Sequence, residues 1–258
     1  MSDRQQRSSN IRSTSARTTR NRGIQKLKDE FFSLAAHEIR TPITVIKAQA
    51  QLAERFYAQG KLHGELMERT LRTFVHESDR LARLCTDLLD VARLDSGCFE
   101  VHASRFDLVE MLRELIAKAD SRCDIHRIDL DAPSPVEVWA DRGRCQQVFS
   151  NLLNNAIRYS PRGGNVTVTV RSGEGGRATV AVRDQGVGIS RDRLKNIFRR
   201  YDQGQQTGLR GPNGLGLGLY LCREALRHMG GNIRVKSAGA GLGSEFTFSL
   251  PMGSTGDE

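Results

Sequence analysis

Two long apolar stripes at helical spacing, between Ile24 and Leu94, restrict the fold more than any other feature of the chain. Leu27, Phe31 and Leu34 lie four and three apart; Ile39, Ile43, Ile46, Ala50, Ala53 and Tyr57 continue four, three, four, three, four. The step from Leu34 to Ile39 is five, so the seam loses phase around His37. Gln59-Gly60-Lys61-Leu62-His63-Gly64 carries two glycines and reads as a turn. A second helix follows from about Glu65 to Leu94. Leu71, Val75, Ala82, Cys85, Leu89 and Ala92 mark its stripe, and Phe74, Leu81, Leu84 and Leu88 widen it. Two helices joined by a short turn predict an antiparallel hairpin. One hairpin cannot cover both stripes. Two hairpins paired as a four-helix bundle can, so a homodimer is expected.

Asp95-Ser96-Gly97 ends this pattern, and the texture changes beyond it. Phe99–His102 alternates like a short strand. Asp107 suits the N-cap of a helix through about Ala119. Ile128–Leu130 and Val136–Ala140 read as strands, and Arg142–Tyr159 as a helix. Val166–Val170 and Thr179–Val182 are strands around a Gly-rich turn. Helices are expected over Arg191–Tyr201 and Leu215–His228, with strands over Ile233–Val235 and Glu245–Leu250. Hairpin-like turns join several strands, which predicts an α+β two-layer sandwich with mixed, largely antiparallel pairing. The resulting organisation is multidomain: a tail over 1–24, an all-α hairpin over 25–96, an α+β domain over 99–252 and a short tail over 253–258.

Charge and cysteine usage narrow the setting. The net charge is +9, and residues 1–22 supply +5 of it through six arginines against the single acid Asp3. A segment so polar has too little apolar surface to offset its ordering entropy. It reads as a solvated leader rather than as a segment that binds acidic lipid or nucleic acid. No run reaches the roughly 18 apolar residues that span a bilayer. The five cysteines are odd in number and form no Cys-x-x-Cys, which fits a reducing cytoplasm. Membrane association would then come through a partner or a further N-terminal region.

Three stretches in the second half carry ligand-binding chemistry. Asp184-Gln185-Gly186-Val187-Gly188-Ile189 follows a strand: its glycines allow a sharp turn, and its carboxylate can accept a hydrogen bond from an exocyclic amine. Gly214-Leu215-Gly216-Leu217-Gly218-Leu219 opens a helix whose free N–H groups suit phosphate. It lacks the sixth-position glycine of a dinucleotide fingerprint, and no P-loop is present. Asn151, Asn155 and Arg158 share a helix face at i, i+4, i+7. Amide oxygens suit an octahedral Mg²⁺ shell, the guanidinium suits phosphate, and Tyr159 offers a flat ring. Neither Gly-x-Ser-x-Gly nor His-Glu-x-x-His occurs, which removes the common hydrolase and zinc-protease readings.

Taken in order, these residues resemble a bacterial two-component sensor histidine kinase: a dimerisation and histidine-phosphotransfer hairpin, then a GHKL-type (Bergerat-fold) ATPase domain. The resemblance runs from about Lys26 to Pro251. His37-Glu38-Ile39-Arg40-Thr41-Pro42 is similar to the H-box, Asn151–Tyr159 to the N-box and Asp184–Ile189 to the G1 box. Ile197-Phe198-Arg199-Arg200-Tyr201 resembles the F-box, although Arg199-Arg200 stand where an acidic residue is common. Gly214–Leu219 and Gly239–Phe246 resemble the two remaining Gly-rich boxes. The resemblance implies Mg²⁺-ATP as the phosphoryl source. It implies Asp184 at the adenine amine, Asn155 on the metal with Asn151 beside it, Arg158 on phosphate and Tyr159 flanking the base. Gly186, Gly188 and Ile189 would shape the base pocket, with Ser244 beside it. The segment Gln203–Asn213 would be the ATP lid, and Gly214, Leu215, Gly216 and Gly218 would close its end around the phosphates. An aspartate on a response-regulator receiver domain would be the final acceptor, and a separate sensor protein a further partner.

The H-box chemistry follows from residue type. A neutral imidazole is available at neutral pH because histidine titrates near ~6.5. Attack on phosphorus makes the ring cationic, and Glu38 is placed in sequence to take the proton from the other nitrogen. Thr41 lies one turn from His37; in the family this position orients water for dephosphorylating the regulator. Pro42 lacks an N–H and crowds the carbonyl of Glu38, which predicts a loosened turn beside His37. The rival readings are a catalytically silent dimeric scaffold, which the intact Asn155, Asp184 and glycine loops disfavour, and a gyrase- or mismatch-repair-like ATPase. The second lacks an H-box hairpin directly upstream.

Overall fold

The computed structural model describes residues 33–120, 125–132, 135–173, 175–202 and 215–253. The basic tail over 1–24, Leu27, Phe31, Cys123, the segment Gln203–Asn213 and Gly214 lie outside the described residues. The chain divides into two compact units, Met1–Thr86 and Asp87–Glu258.

The first unit holds helix α1, residues 33–58, and most of helix α2, Gly64–Asp95. The turn between them is the one the glycines predict: Lys61 N–H returns to the Phe56 carbonyl at 2.8 Å, with Gly60 just before it at φ 66°. α1 stays helical through Pro42, so the chain is not broken there; Pro42 has no N–H, and the Glu38 carbonyl lacks its usual intrahelical partner. The hydroxyls of Thr41 and Thr44 donate to the carbonyls of His37 and Arg40, four residues back, at 3.1 and 2.9 Å. Few side chains are buried within this unit. Among its described residues Ala35, Pro42 and Leu84 are the buried apolar ones, while Ile43, Leu52, Tyr57, Met67, Leu71 and Val75 remain exposed.

The second unit begins inside α2, whose last turns from Asp87 belong to it. It then runs β1 (Ser104–Asp107), α3 (Leu108–Asp120), β2 (His126–Asp131), β3 (Glu137–Ala140), α4 (Arg142–Arg158), β4 (Gly164–Gly173) and β5 (Arg177–Asp184). It continues through α5 (Arg191–Leu194), α6 (Gly218–His228), β6 (Asn232–Lys236) and β7 (Ser244–Pro251). The main sheet has the order β2-β4-β5-β7-β6, with β2-β4 parallel and the other pairs antiparallel. β1 and β3 form a separate antiparallel pair.

The two layers follow from periodicity. On β4 and β5 every second residue is buried: Val166, Val168 and Val170, then Ala178, Val180 and Val182. Phe246, Phe248 and Leu250 do the same on β7. Against this apolar face lie α3, α4 and α6, through Leu108, Met111, Leu112, Val148, Phe149, Leu152 and Leu226 in one core cluster. The α+β sandwich is as the sequence predicts.

Two predicted elements differ. Phe99–His102 is irregular, and the strand lies at Ser104–Asp107 instead. Phe99 is buried because its ring enters the core cluster, 5.1 Å from that of His228 and beneath the Arg144 guanidinium. Its alternation with Val101 therefore reflects packing, not a ladder. Arg191–Tyr201 is α-helical only over Arg191–Leu194. Beyond it, i→i+3 bonds from Asn196 and Arg199 turn the backbone, and Ile197 and Phe198 enter the core. Tyr201 then takes φ 67°, which no helix allows.

Candidate active site

β5 delivers the central carboxylate. Its inward positions are Val180, Val182 and Asp184, so the alternation that builds the core also buries Asp184 at 5% exposure. Asp184 Oδ1 accepts from the Gly186 and Ser244 backbone N–H groups at 2.8 and 3.2 Å. Oδ2 accepts from the Ser244 hydroxyl at 2.5 Å. Ser244 stands directly opposite Asp184 in the β5–β7 register. A carboxylate oxygen accepts more than one bond, so Oδ2 keeps capacity for an incoming N–H donor.

The loop after β5 is pressed between two neighbours. A side chain at Gly186 would meet the Tyr159 carbonyl at 2.1 Å, and one at Gly188 would meet the Gly239 carbonyl at 2.0 Å. Val187 N–H donates to the Tyr159 carbonyl at 2.9 Å, and Gly241 N–H to the Val187 carbonyl at 2.7 Å. Ile189 packs against the core, and its N–H donates to the Ser237 hydroxyl at 3.0 Å. Ser237 also donates to the Gly243 carbonyl at 2.6 Å, bracing both glycine loops. Sequence reasoning missed Ser237: a lone serine after a strand has no spacing signature.

α4 supplies the amides. Asp141 caps the helix by accepting from the Arg144 N–H at 3.0 Å. Cys145, Val148, Phe149, Leu152, Leu153 and Ala156 face the core, which sets Asn151 and Asn155 on the adjoining face. Asn155 Nδ2 donates to Asn151 Oδ1 at 3.1 Å, so the two amides form one polar group. Arg158 is exposed beyond them, its guanidinium carbon 5.7 Å from the Tyr159 ring centre. Gly218, at the start of α6, lies against these amides: a side chain there would meet Asn151 Nδ2 at 2.4 Å. Leu215 and Leu217 are buried and anchor the stretch before α6. Gly216, at φ 66°, accepts from the Tyr201 N–H at 2.9 Å through its carbonyl. The structure thus brings Asn151, Asn155, Tyr159, Gly186 and Gly218 into linked contacts, with Asp184 and Ser244 paired at the end of the sheet.

In the first unit His37 is exposed on α1, whereas Glu38 is buried and turned away. Adjacent helical residues do not face each other. Glu38 Oε2 accepts from Arg80 Nη2 of α2 at 2.8 Å, an ion pair that sequence spacing did not reveal. Arg80 also stands 3.8 Å from Glu77, which pairs with His76 at 3.1 Å. Thr41 keeps its hydroxyl on the His37 carbonyl. Among the described residues no group of three His, Cys, Asp or Glu is placed to hold a metal.

These two constellations define a class: a helical hairpin presenting a histidine, joined to a Bergerat-type nucleotide site. Residues 27–97 match the His Kinase A (phospho-acceptor) domain, and residues 140–254 match the histidine kinase-, DNA gyrase B- and HSP90-like ATPase. The chain belongs to the two-component sensor histidine kinase family. It is 30% identical over 230 residues to the sensor-like histidine kinase SenX3 of Mycolicibacterium smegmatis, covering 88% of this chain and 58% of that relative's length. Among solved structures it is similar to full-length ShkA in complex with AMPPNP (26% identity, TM-score 0.60, 89% of this chain and 47% of that one). It also shares its fold with histidine kinase ThkA in complex with the response regulator TrrA (23% identity, TM-score 0.58, 94% and 66%). No helix among the described residues is long and apolar enough to cross a membrane.

Proposed function

We propose that this chain is the kinase core of a two-component system: it binds Mg²⁺-ATP, phosphorylates His37, and passes the phosphoryl group to an aspartate of a response-regulator receiver domain. The observation that carries the nucleotide part is the buried, fully oriented Asp184 carboxylate with acceptor capacity to spare. Asp184 takes the exocyclic amine of adenine, Ser244 holds the carboxylate in place, and Tyr159 flanks the base. The Asn151–Asn155 pair fits a hard cation through its amide oxygens, with Asn155 as ligand. Bound Mg²⁺ neutralises charge on the transferred phosphate. Arg158 and the backbone of Leu215–Gly218 complete the phosphate end, and Gly214 belongs to the same proposal.

In the reaction one imidazole nitrogen of His37 attacks the γ-phosphorus, the bond to the β,γ-bridging oxygen breaks, and ADP leaves with that electron pair. The proton on the other ring nitrogen goes to a base. Glu38 is the proposed acceptor; its carboxylate rests on Arg80 in this structure and has to leave that ion pair to reach the His37 ring. Thr41, one turn along, serves hydrolysis of the regulator's phosphoaspartate by holding water. The exposed stripe on the hairpin supports a homodimer joined as a four-helix bundle. Cytoplasmic placement, with a separate sensor or membrane-bound region upstream, completes the reading.

Incubation with γ-labelled ATP tests it. Wild type should acquire acid-labile label; His37→Gln and Asn155→Ala should not. Label retained by His37→Gln would remove His37 as the acceptor.

A further inference from the structure

The end of α2 and the start of α6 meet at one guanidinium. Arg200 Nη2 donates to Asp95 Oδ1 at 2.6 Å and to the Tyr220 hydroxyl at 2.7 Å. Its guanidinium carbon lies 4.6 Å from the Tyr220 ring centre, and Tyr220 is 9% exposed. Asp95 is the last residue of α2, and all three belong to the second unit. The neighbouring backbone is as closely held. Tyr201 N–H donates to the Gly216 carbonyl at 2.9 Å, and a side chain at Gly216 would meet the Tyr201 carbonyl carbon at 2.7 Å. Two residues after Gly216, Gly218 abuts Asn151. A continuous series of contacts therefore runs from Asp95 through Arg200 and Tyr220 to the first turn of α6 and the amide pair.

α2 is held to this unit at a second point. Asp90, 2% exposed, accepts from Arg144 Nη1 at 2.6 Å and from Gln147 Nε2 at 2.9 Å. The last turns of α2 are thus a fixed part of the nucleotide-binding unit, and Asp95 is presented to Arg200 on a rigid element.

We propose that Arg200 is a positioning residue for nucleotide binding, holding the start of α6 against Asn151 and Asn155 with Asp95 as its anchor, so that ATP affinity depends on the C-terminal end of α2, the second helix of the phospho-acceptor hairpin. This rests on the ATP-dependent function proposed above. An exposed ion pair ordinarily contributes little. Here the same guanidinium also covers a buried ring and bonds its hydroxyl, so its loss frees two elements at once. It acts on the bound state before and during transfer alike, which places its effect in KM rather than kcat.

The test measures autophosphorylation of the whole chain against Mg²⁺-ATP concentration, with thermal unfolding in parallel. Arg200→Met and Asp95→Asn should each raise the KM for ATP about tenfold. Their kcat should change by less than about twofold, and the double variant should show no further rise. Tyr220→Phe, which keeps the ring, should give a smaller rise and stands in if Arg200→Met fails to fold. An unchanged KM in Asp95→Asn, or effects that multiply in the double variant, overturns the inference. Absence of both Mg²⁺-ATP binding and label in wild type instead refutes the proposed function, and this inference falls with it.

Discussion

The two units bury themselves in opposite ways. The second closes an apolar face of five strands under three helices, with Leu108, Val138, Phe149, Val180 and Leu250 all at 0% exposure. The hairpin keeps Ile43 at 49%, Leu71 at 49% and Val75 at 57% exposed. Its buried groups include the Glu38 carboxylate, held by Arg80 across the helix pair. The ATPase unit has a complete core of its own, whereas the hairpin places a charged pair inside and leaves apolar surface outside. In the proposed function this apolar surface is the one that a second copy of the chain covers.

The largest expected effect breaks this contrast directly. Phe149→Ala should destabilise the second unit by about 3–5 kcal/mol, read by denaturant unfolding, because a fully buried ring leaves a cavity. Leu71→Glu with Val75→Glu should leave that transition in place and instead lower the mass in solution from dimer to monomer. An unchanged mass would remove the stripe as the dimer surface.

A smaller effect sharpens the junction between helix and sheet. Asp141 caps α4 and also accepts the His102 N–H at 2.9 Å. Partial burial pushes its carboxyl up, but the N–H groups of His102, Arg144 and Gly143 and the charge of Arg144 hold it below the ordinary carboxylate range. A depressed folded-state pKa adds stability above the unfolded value near ~3.9, and that stability is lost as pH falls through the folded value. Asp141→Ala should therefore cost about 1 kcal/mol at pH 7 and less in strong acid. Equal losses at pH 7 and pH 2 would count against the cap.

The smallest is a matter of rates. Cys85 and Cys98 are exposed, while Cys145 and Cys222 are buried. Burial and the nearby Asp141 charge push the Cys145 thiol up to about 12, and burial first, with Asp87, raises Cys222 further. Alkylation followed by peptide mass spectrometry should label Cys85 and Cys98 before Cys145 and Cys222. Early labelling of Cys145 would mean that the core opens under native conditions.

Much of the fold was legible because its signals are local. The period-two runs at Val166–Val170 and Thr179–Val182 and the helical run at Arg142–Tyr159 return as β4, β5 and α4. Phe99–His102 misled because burial of alternate residues needs no strand. Arg191–Tyr201 misled because its apolar residues reach the core through turns, as the positive φ at Tyr201 requires. Glu38 beside His37 suggested an acid–base pair. In this structure the Glu38 carboxylate rests on Arg80, 42 residues later, a meeting that no spacing rule encodes.

The sequence by itself determined the two-part plan, the His37 motif, the amide face of α4 and the carboxylate at the end of β5. These depend on periods of 3.6 and two, and on residue chemistry within one element. Only the tertiary structure decided which partners complete them: Ser244 and Ser237 around the glycine loops, Arg80 on Glu38, and Arg200 between Asp95 and Tyr220. Those partners lie on separate elements, and their distances are set by how α2, α4, α6 and the sheet pack in three dimensions.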